Sequence, residues 1–429
     1  MPHDLSVADA PFDGRWWAPE RPDHVVGGRL FLEDEIWSLK LLGWLGEGPP
    51  NQQNDSRPTV IHGQVGTVDV TLLSLVPGGW SGVMAGVPYE SAFSANTVLC
   101  GVHCDESITF AAADVSMVNL NEWTKRNPFR HQIEEGPPLR DIVVFEHPPM
   151  LEAAIDGAKA VLHRTFSQRD NFFEFLEIRS LEAVLFEFDS SLSLDDVYFE
   201  YVRPMRNLIE LVAMERSAML AFRVLPTGGS DGDWVQVLSG VHRRAPIPAP
   251  KHHWELMFGL NDVEFATVLP TWWSAHRKLG YMPDLFLSLY DRGNVGVQFM
   301  TAASTLDGYH RHYDPSTDHS RFHYADRLDY LVSRGGPIFS SAVGNLELWK
   351  VWVKEARNSV AHRFPAGARV ESEWMTTVHV SASIRLLLSL LFLEDAGLSE
   401  DQRREAMKRS KEASRVETHL RRVLPEWFC

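Results

Sequence analysis

The apolar residues of this chain change their spacing near residue 250, and a single layer of one element type cannot satisfy both patterns. Before that point Trp37, Leu39 and Leu41 are interleaved with Ser38 and Lys40, and Val184, Phe186 and Phe188 with Leu185 and Glu187. A period of two buries one face of a strand. After residue 253 the spacing becomes that of helices, and the stretch HRRAPIPAPKHH at 242–253 separates the two regimes. Three prolines in five residues make it a stiff, extended connector. The expectation is an α+β chain, with a β-rich N-terminal domain over 1–250 and an all-α domain over 251–429.

Local signals refine this outline. Ser193 and Asp196 have capping-box spacing ahead of Val197, Tyr201, Leu208 and Val212, which predicts one helix inside the β-rich half, kinked by Pro204. GGSDGD at 228–233 reads as an exposed loop. Gly397 is placed to end a long apolar helix, and Ser399 with Gln402 to open the next. No internal repeat or low-complexity tract appears.

The run WVKEARNSVAHRF at 352–364 carries most of the chemistry. Leu346, Trp349, Val353, Ala356 and Val360 form one apolar stripe at helical spacing. Asn358 and His362, four residues apart, share a face beside it. Arg357 lies roughly 100° around the helix from Asn358, within reach of the same patch through its long stem. Pro365 disfavours helix at the residue before it, so His362 is expected at an exposed helix end.

Each residue type suits phosphodiester chemistry. A histidine, with an ordinary pKa of about 6.5, can take or give a proton at neutral pH. An arginine fork can hold a scissile phosphate while charge builds on its oxygens, and an asparagine can orient either partner. A ribose 2′-OH attacking its neighbouring phosphate would leave a 2′,3′-cyclic phosphate and a free 5′-OH, without metal and on RNA alone. One histidine per chain cannot serve as both base and acid, so a symmetric dimer is expected to bring two copies of Arg357 and His362 into one cleft. Taken alone, the same string also suits an arginine and a histidine capping carbonyls near a helix C-terminus.

Arg357, Asn358 and His362, with NVGVQFMTAASTLDGYHRHY at 294–313, RFHYADRLDYLV at 321–332 and SIRLLLSLLFLEDAG at 383–397, resemble a HEPN domain. That is the all-helical module of many prokaryotic RNA-cleaving toxins and defence proteins, and its signature is an arginine, a polar residue, a short spacer and a histidine. Where that pattern carries a glutamate late in its first helix, this chain has Asp307 followed by Gly308. The first half is similar to the N-terminal domain of ApeA-like anti-phage proteins, through GRWWAPERPDHVVGGRLFL at 14–32, IHGQVGTVDVTLLSL at 61–75 and VLCGVHCDESITFAAADVSMVNLNEWT at 98–124. The resemblances imply a helical HEPN ribonuclease domain after an N-terminal domain that senses infection or restrains the nuclease.

The net charge of −16 argues against a general nucleic-acid binder, but a polyanion needs local rather than net positive potential. Residues 401–422 hold eight Lys/Arg against four Asp/Glu. A solvated helix face explains that segment, and an RNA contact is the alternative. The opening residues MPHDLSVADAPFDG are polar, and the apolar run Leu386–Leu393 is too short to span a bilayer, so a cytoplasmic protein without membrane contact is expected. Three cysteines, Cys100, Cys104 and Cys429, do not make a disulfide framework.

Other candidates are weaker. Cys100, His103 and Cys104 suggest zinc, yet no second ligand pair is evident. Cys100, Val102 and Cys104 fit better as alternate residues of one strand pointing into a core. His310, His312, His319 and His323 read as a surface patch. Trp16, Trp17, Trp272 and Trp273 suit core packing more than base stacking. No P-loop, dinucleotide fingerprint, G-x-S-x-G or H-E-x-x-H is present, and no cofactor or metal is assigned.

The reading that emerges is a metal-independent endoribonuclease of anti-phage defence. Arg357, Asn358 and His362 form its catalytic set, tRNA or mRNA is its substrate, a HEPN homodimer its active form and a phage-derived signal its trigger. The alternative is a non-catalytic HEPN module that binds nucleotide or RNA, with the N-terminal domain as interaction surface. A weaker one makes the β-rich half a ligand- or carbohydrate-binding module.

Overall fold

The computed structural model describes residues 11–33, 36–46, 58–81, 90–134, 140–170, 176–239, 249–291, 293–313, 323–362 and 374–429. It bears out the α+β expectation, with a β-rich N-terminal region followed by a mostly helical one. The chain forms two compact units, one of Met1–Val118, Gly157–Val202 and Ala218–Ala249, the other of Asn119–Asp156, Arg203–Ser217 and Pro250–Cys429. Two segments of the first 250 residues are therefore members of the helical unit. Most of the predicted proline connector, its residues 242–248, lies outside the described residues.

Six strands of the first unit close on themselves: β1 (Phe12–Trp17), β2 (Val26–Glu33), β3 (Ile36–Leu41), β4 (Ile61–Val65), β5 (Val68–Ser81) and β6 (Glu90–Cys100). Antiparallel pairing runs β1–β2–β3–β6–β5–β4 and back to β1. Closure removes the sheet edges that would otherwise offer unpaired backbone groups. Trp16, Leu30, Trp37, Leu39 and Leu41 pack inside, so the alternation read for β3 sets its buried face. Gly63 sits opposite Trp16 in the β1–β4 register. A Cβ there would lie 2.2 Å from the indole, which is why this position is glycine.

After β7 (Phe110–Met117) come β8 (Phe129–Glu134), β9 (Arg140–Phe145) and β10 (Leu151–Ile155) of the second unit, and then β11 (Ala158–Asp170), β12 (Leu176–Leu192), β13 (Met219–Pro226) and β14 (Val235–Leu238) of the first. The order β11–β12–β7–β13–β14 continues into β6. Buried charges in this sheet are paired. Arg164 meets Glu182, and Asp114 takes His163 at 2.9 Å and also Arg223. Val184 and Phe186 are buried as their alternation predicts.

One strand expectation fails. β6 ends at Cys100, and Gly101 turns the chain with φ of +107°, so Val102 and Cys104 do not continue it. Cys100 is buried and Cys104 half-buried, with burial holding the Cys104 thiol up at about 11. Among the described residues no His/Cys/Asp/Glu group is arranged to hold a metal. His103 Nε2 instead meets Gly63 O at 2.9 Å, and its ring stacks on His62 at 4.8 Å.

The first helices are α1 (Leu120–Thr124), α2 (Leu194–Val197) and α3 (Arg203–Ala213). Ser193 caps α2 by accepting from Asp196 N, as read from the sequence. A π-helical turn over Tyr198–Val202 joins α2 to α3, two residues ahead of Pro204, which has no N–H to give. The loop 228–233 is exposed.

The helical region comprises α4 (Phe265–Leu279), α5 (Met282–Ser288), α6 (Val295–Tyr313), α7 (Tyr324–Val343), α8 (Leu346–His362), α9 (Trp374–Asp395), α10 (Glu400–Ser410) and α11 (Glu412–Val423). Helix α9 packs against α6, α7 and α11 and forms the core of the bundle. It is longer than the apolar run Leu386–Leu393 suggested. Its 22 residues, at a mean hydropathy of 1.6 over the best window, could cross a membrane by length and composition, yet most of that window is buried inside the protein. Trp272 and Trp273 are core residues, and Ser399 with Gln402 forms the expected capping box.

Candidate active site

Helix α8 is fixed by its apolar stripe. Trp349, Val353 and Ala356 are buried, joined by Trp352, which the stripe did not include. Trp349 Nε1 donates to Ser383 Oγ on α9 at 2.7 Å, and Trp352 packs edge-on against Phe299 of α6. These contacts set the rotation of the helix and thus the side on which Arg357 emerges. Arg357 and Asn358 are half-buried near its C-terminal end, and His362 is its last helical residue. The side chains of Val360 and His362, and Pro365 entirely, lie outside the described residues.

The surroundings of Arg357 come from α6 and α7. Its Nη2 is 3.8 Å from Asp307 Oδ2, and its guanidinium lies over the Tyr324 ring at 4.4 Å. Asp307 also pairs with Arg327, and with Arg311 at 3.2 Å. One carboxylate thus faces three guanidinium groups. Arg357 Nε is buried and finds no hydrogen-bond partner among the described residues. Tyr324 donates to Ala303 O at 3.2 Å, and burial pushes its phenol well above the usual tyrosine range, so the ring under Arg357 stays neutral.

The departure at 307–308 has a structural reason. Gly308 lies against α5, where a Cβ would stand 2.5 Å from Met282 Sδ. The shorter Asp307 still reaches Arg357. Sequence reading marked Asp307 only as a departure and missed Tyr324 and Arg327; the i,i+4 pair Asp307/Arg311 was the one available signal.

The histidine patch is corrected in part. His310 is buried, edge-on to Tyr330 at 5.1 Å, because the inner face of α6 reaches it. His323 is exposed at the N-cap of α7, His312 lies near Tyr281, and His319 is outside the described residues. An arginine whose Nε has no partner among the described residues, a neutral aromatic beneath it and a carboxylate beside it make a seat for an anionic group.

The family model described as ApeA N-terminal domain 1 matches residues 11–272. No curated protein and no solved structure matches the chain.

Proposed function

The chain belongs to the ApeA N-terminal domain 1 family, and from that premise we propose that it is an anti-phage defence protein whose C-terminal helices are a HEPN endoribonuclease. The observation that carries this reading is Arg357, seated on Asp307 and Tyr324 with its Nε unpartnered among the described residues, five residues before His362. An RNA phosphate would take those donors.

In the proposed reaction the ribose 2′-oxygen attacks the adjacent phosphorus as its proton passes to His362. The P–O5′ bond breaks, and His362 of a second copy protonates the departing 5′-oxygen. Arg357 holds the non-bridging oxygens, and Asn358 orients phosphate or imidazole. The products are a 2′,3′-cyclic phosphate and a 5′-OH, formed in the cytoplasm from tRNA or mRNA, with the N-terminal domain restraining the enzyme until infection.

The test is incubation of purified wild type and His362→Ala with total RNA in EDTA, with and without phage lysate, reading fragment ends. Cyclic-phosphate ends made by wild type only support the reading. Silence from wild type in both conditions sinks it and leaves a non-catalytic RNA- or nucleotide-binding module.

A further inference from the structure

A cavity lies in the helical unit, and Arg357 is not among its lining residues. Lys251, Tyr290, Arg385, Ser410, Glu412 and Arg415 are among the residues lining this cavity of about 320 Å³. Lys251 Nζ donates to Ala213 O at 2.5 Å and pairs with Glu215 at 3.5 Å, but Arg385 is less fully engaged. Arg385 stacks over Tyr290 at 5.5 Å and gives one N–H to Leu289 O at 3.2 Å, while its Nε is buried without a partner among the described residues. The Tyr290 hydroxyl points at Met214 Sδ, 3.6 Å away, and a thioether is a weak acceptor. The Ser389 side chain is also within hydrogen-bonding reach of this phenol.

The charge balance favours an anion. Three cations line the wall against two carboxylates, Glu255 and Glu412, while Lys251 is also paired with Glu215, which is not a lining residue. Glu255 is engaged in capping, its Oε2 accepting from His252 N at 3.1 Å. Burial pushes Glu412 up to about 7 against the pull of Arg385, Arg415 and Lys251, so near neutral pH much of it carries no charge. His419 also faces the cavity. Ser410, Glu412 and Arg415 belong to the basic segment 401–422, so part of its positive excess faces this cavity.

We infer that this cavity binds a phosphate monoester, whose oxygens take the donors of Lys251, Arg385, Arg415 and the Tyr290 hydroxyl. Such a group carries close to two negative charges at neutral pH and three acceptor oxygens, matching donors and cations alike. Binding pockets run from roughly 300 to 1,000 Å³, and this cavity sits at the small end. A sugar phosphate fits that size, and a phosphorylated strand end presents the same chemistry. The inference does not depend on the cleavage reading.

The test is calorimetric titration of the full chain with ribose 5-phosphate, with ribose as control, at constant ionic strength. Binding of the phosphate and not of ribose is expected, weakened roughly tenfold or more in Arg415→Gln. A 5′-phosphorylated oligoribonucleotide forms the second arm, and tighter binding there assigns the ligand to a strand end. Equal heats from ribose and ribose 5-phosphate, or wild-type affinity in Arg415→Gln, overturn the inference. Should that variant not fold, Glu412→Gln at pH 8 replaces it. Removal of an ionised carboxylate must then tighten binding, and unchanged affinity counts against the site.

Discussion

Arg357 Nη2 stands 3.8 Å from Asp307 Oδ2, on a carboxylate that Arg327 and Arg311 share. Asp307 thus does two jobs, neutralising a buried Arg327 and positioning the motif arginine. Asp307→Asn leaves three guanidinium groups facing each other. The expected result is a loss of about 3 kcal/mol in urea unfolding, with RNA cleavage falling more steeply than the folded fraction. Unchanged stability would mean that solvent already compensates Arg327.

Arg357 is expected to act through its fork as well as its charge. Arg357→Lys keeps the cation but loses bidentate donation and the flat stack on Tyr324. Cleavage in the proposed reaction should fall about 100-fold or more in both Arg357→Lys and Arg357→Ala. Full activity in the lysine variant would reduce the role to charge alone. Single-turnover assays of cyclic-phosphate ends read this directly.

The barrel should be sensitive at Gly63. Gly63→Ala drives a methyl group into the Trp16 indole, which neighbouring strands hold in place. Overpacking of this kind costs about 1–3 kcal/mol, visible as a lower thermal midpoint of wild-type-like cooperativity.

The Arg164–Glu182 pair, almost fully buried, should matter more when broken than when replaced. Arg164→Met strands Glu182 and is expected to cost about 3 kcal/mol, whereas Arg164→Met with Glu182→Leu should recover most of it. A double variant no better than the single one would show that the pair contributes more than mutual compensation.

His276 gives a pH dependence. Burial, then the charges of Arg203 and Arg206, lower its pKa to about 3, and Asn207 Nδ2 lies 3.1 Å from its Nε2. A pKa below the unfolded value, about 6.5, means that the unfolded chain binds the proton first as pH falls. The stabilisation is whole above pH 6.5 and is lost progressively toward pH 3. The stability gap between wild type and His276→Gln should therefore narrow on acidification, by up to about 1.4 kcal/mol per pH unit. A gap that stays constant would show that His276 is already charged in the folded protein.

The sequence alone determined the order of element types, because a period of two and a period of 3.6 are written residue by residue in patterns such as Trp37–Leu41 and Trp349–Ala356. It also placed Arg357 and Asn358 near the end of a helix, since the rotation of a helix follows from its buried stripe. Caps at Ser193 and Ser399 were equally legible, being contacts over three residues. What only tertiary structure decided depends on separation along the chain. Sequence showed no link between Asp307, Tyr324 and Arg357, which lie up to 50 residues apart on three helices. Closure of six strands into a barrel, the membership of 119–156 and 203–217 in the helical unit, and a cavity drawing on Lys251, Tyr290, Arg385 and Arg415 are likewise long-range. Periodicity states which face of an element is buried. Which partner buries it is settled only when the elements pack.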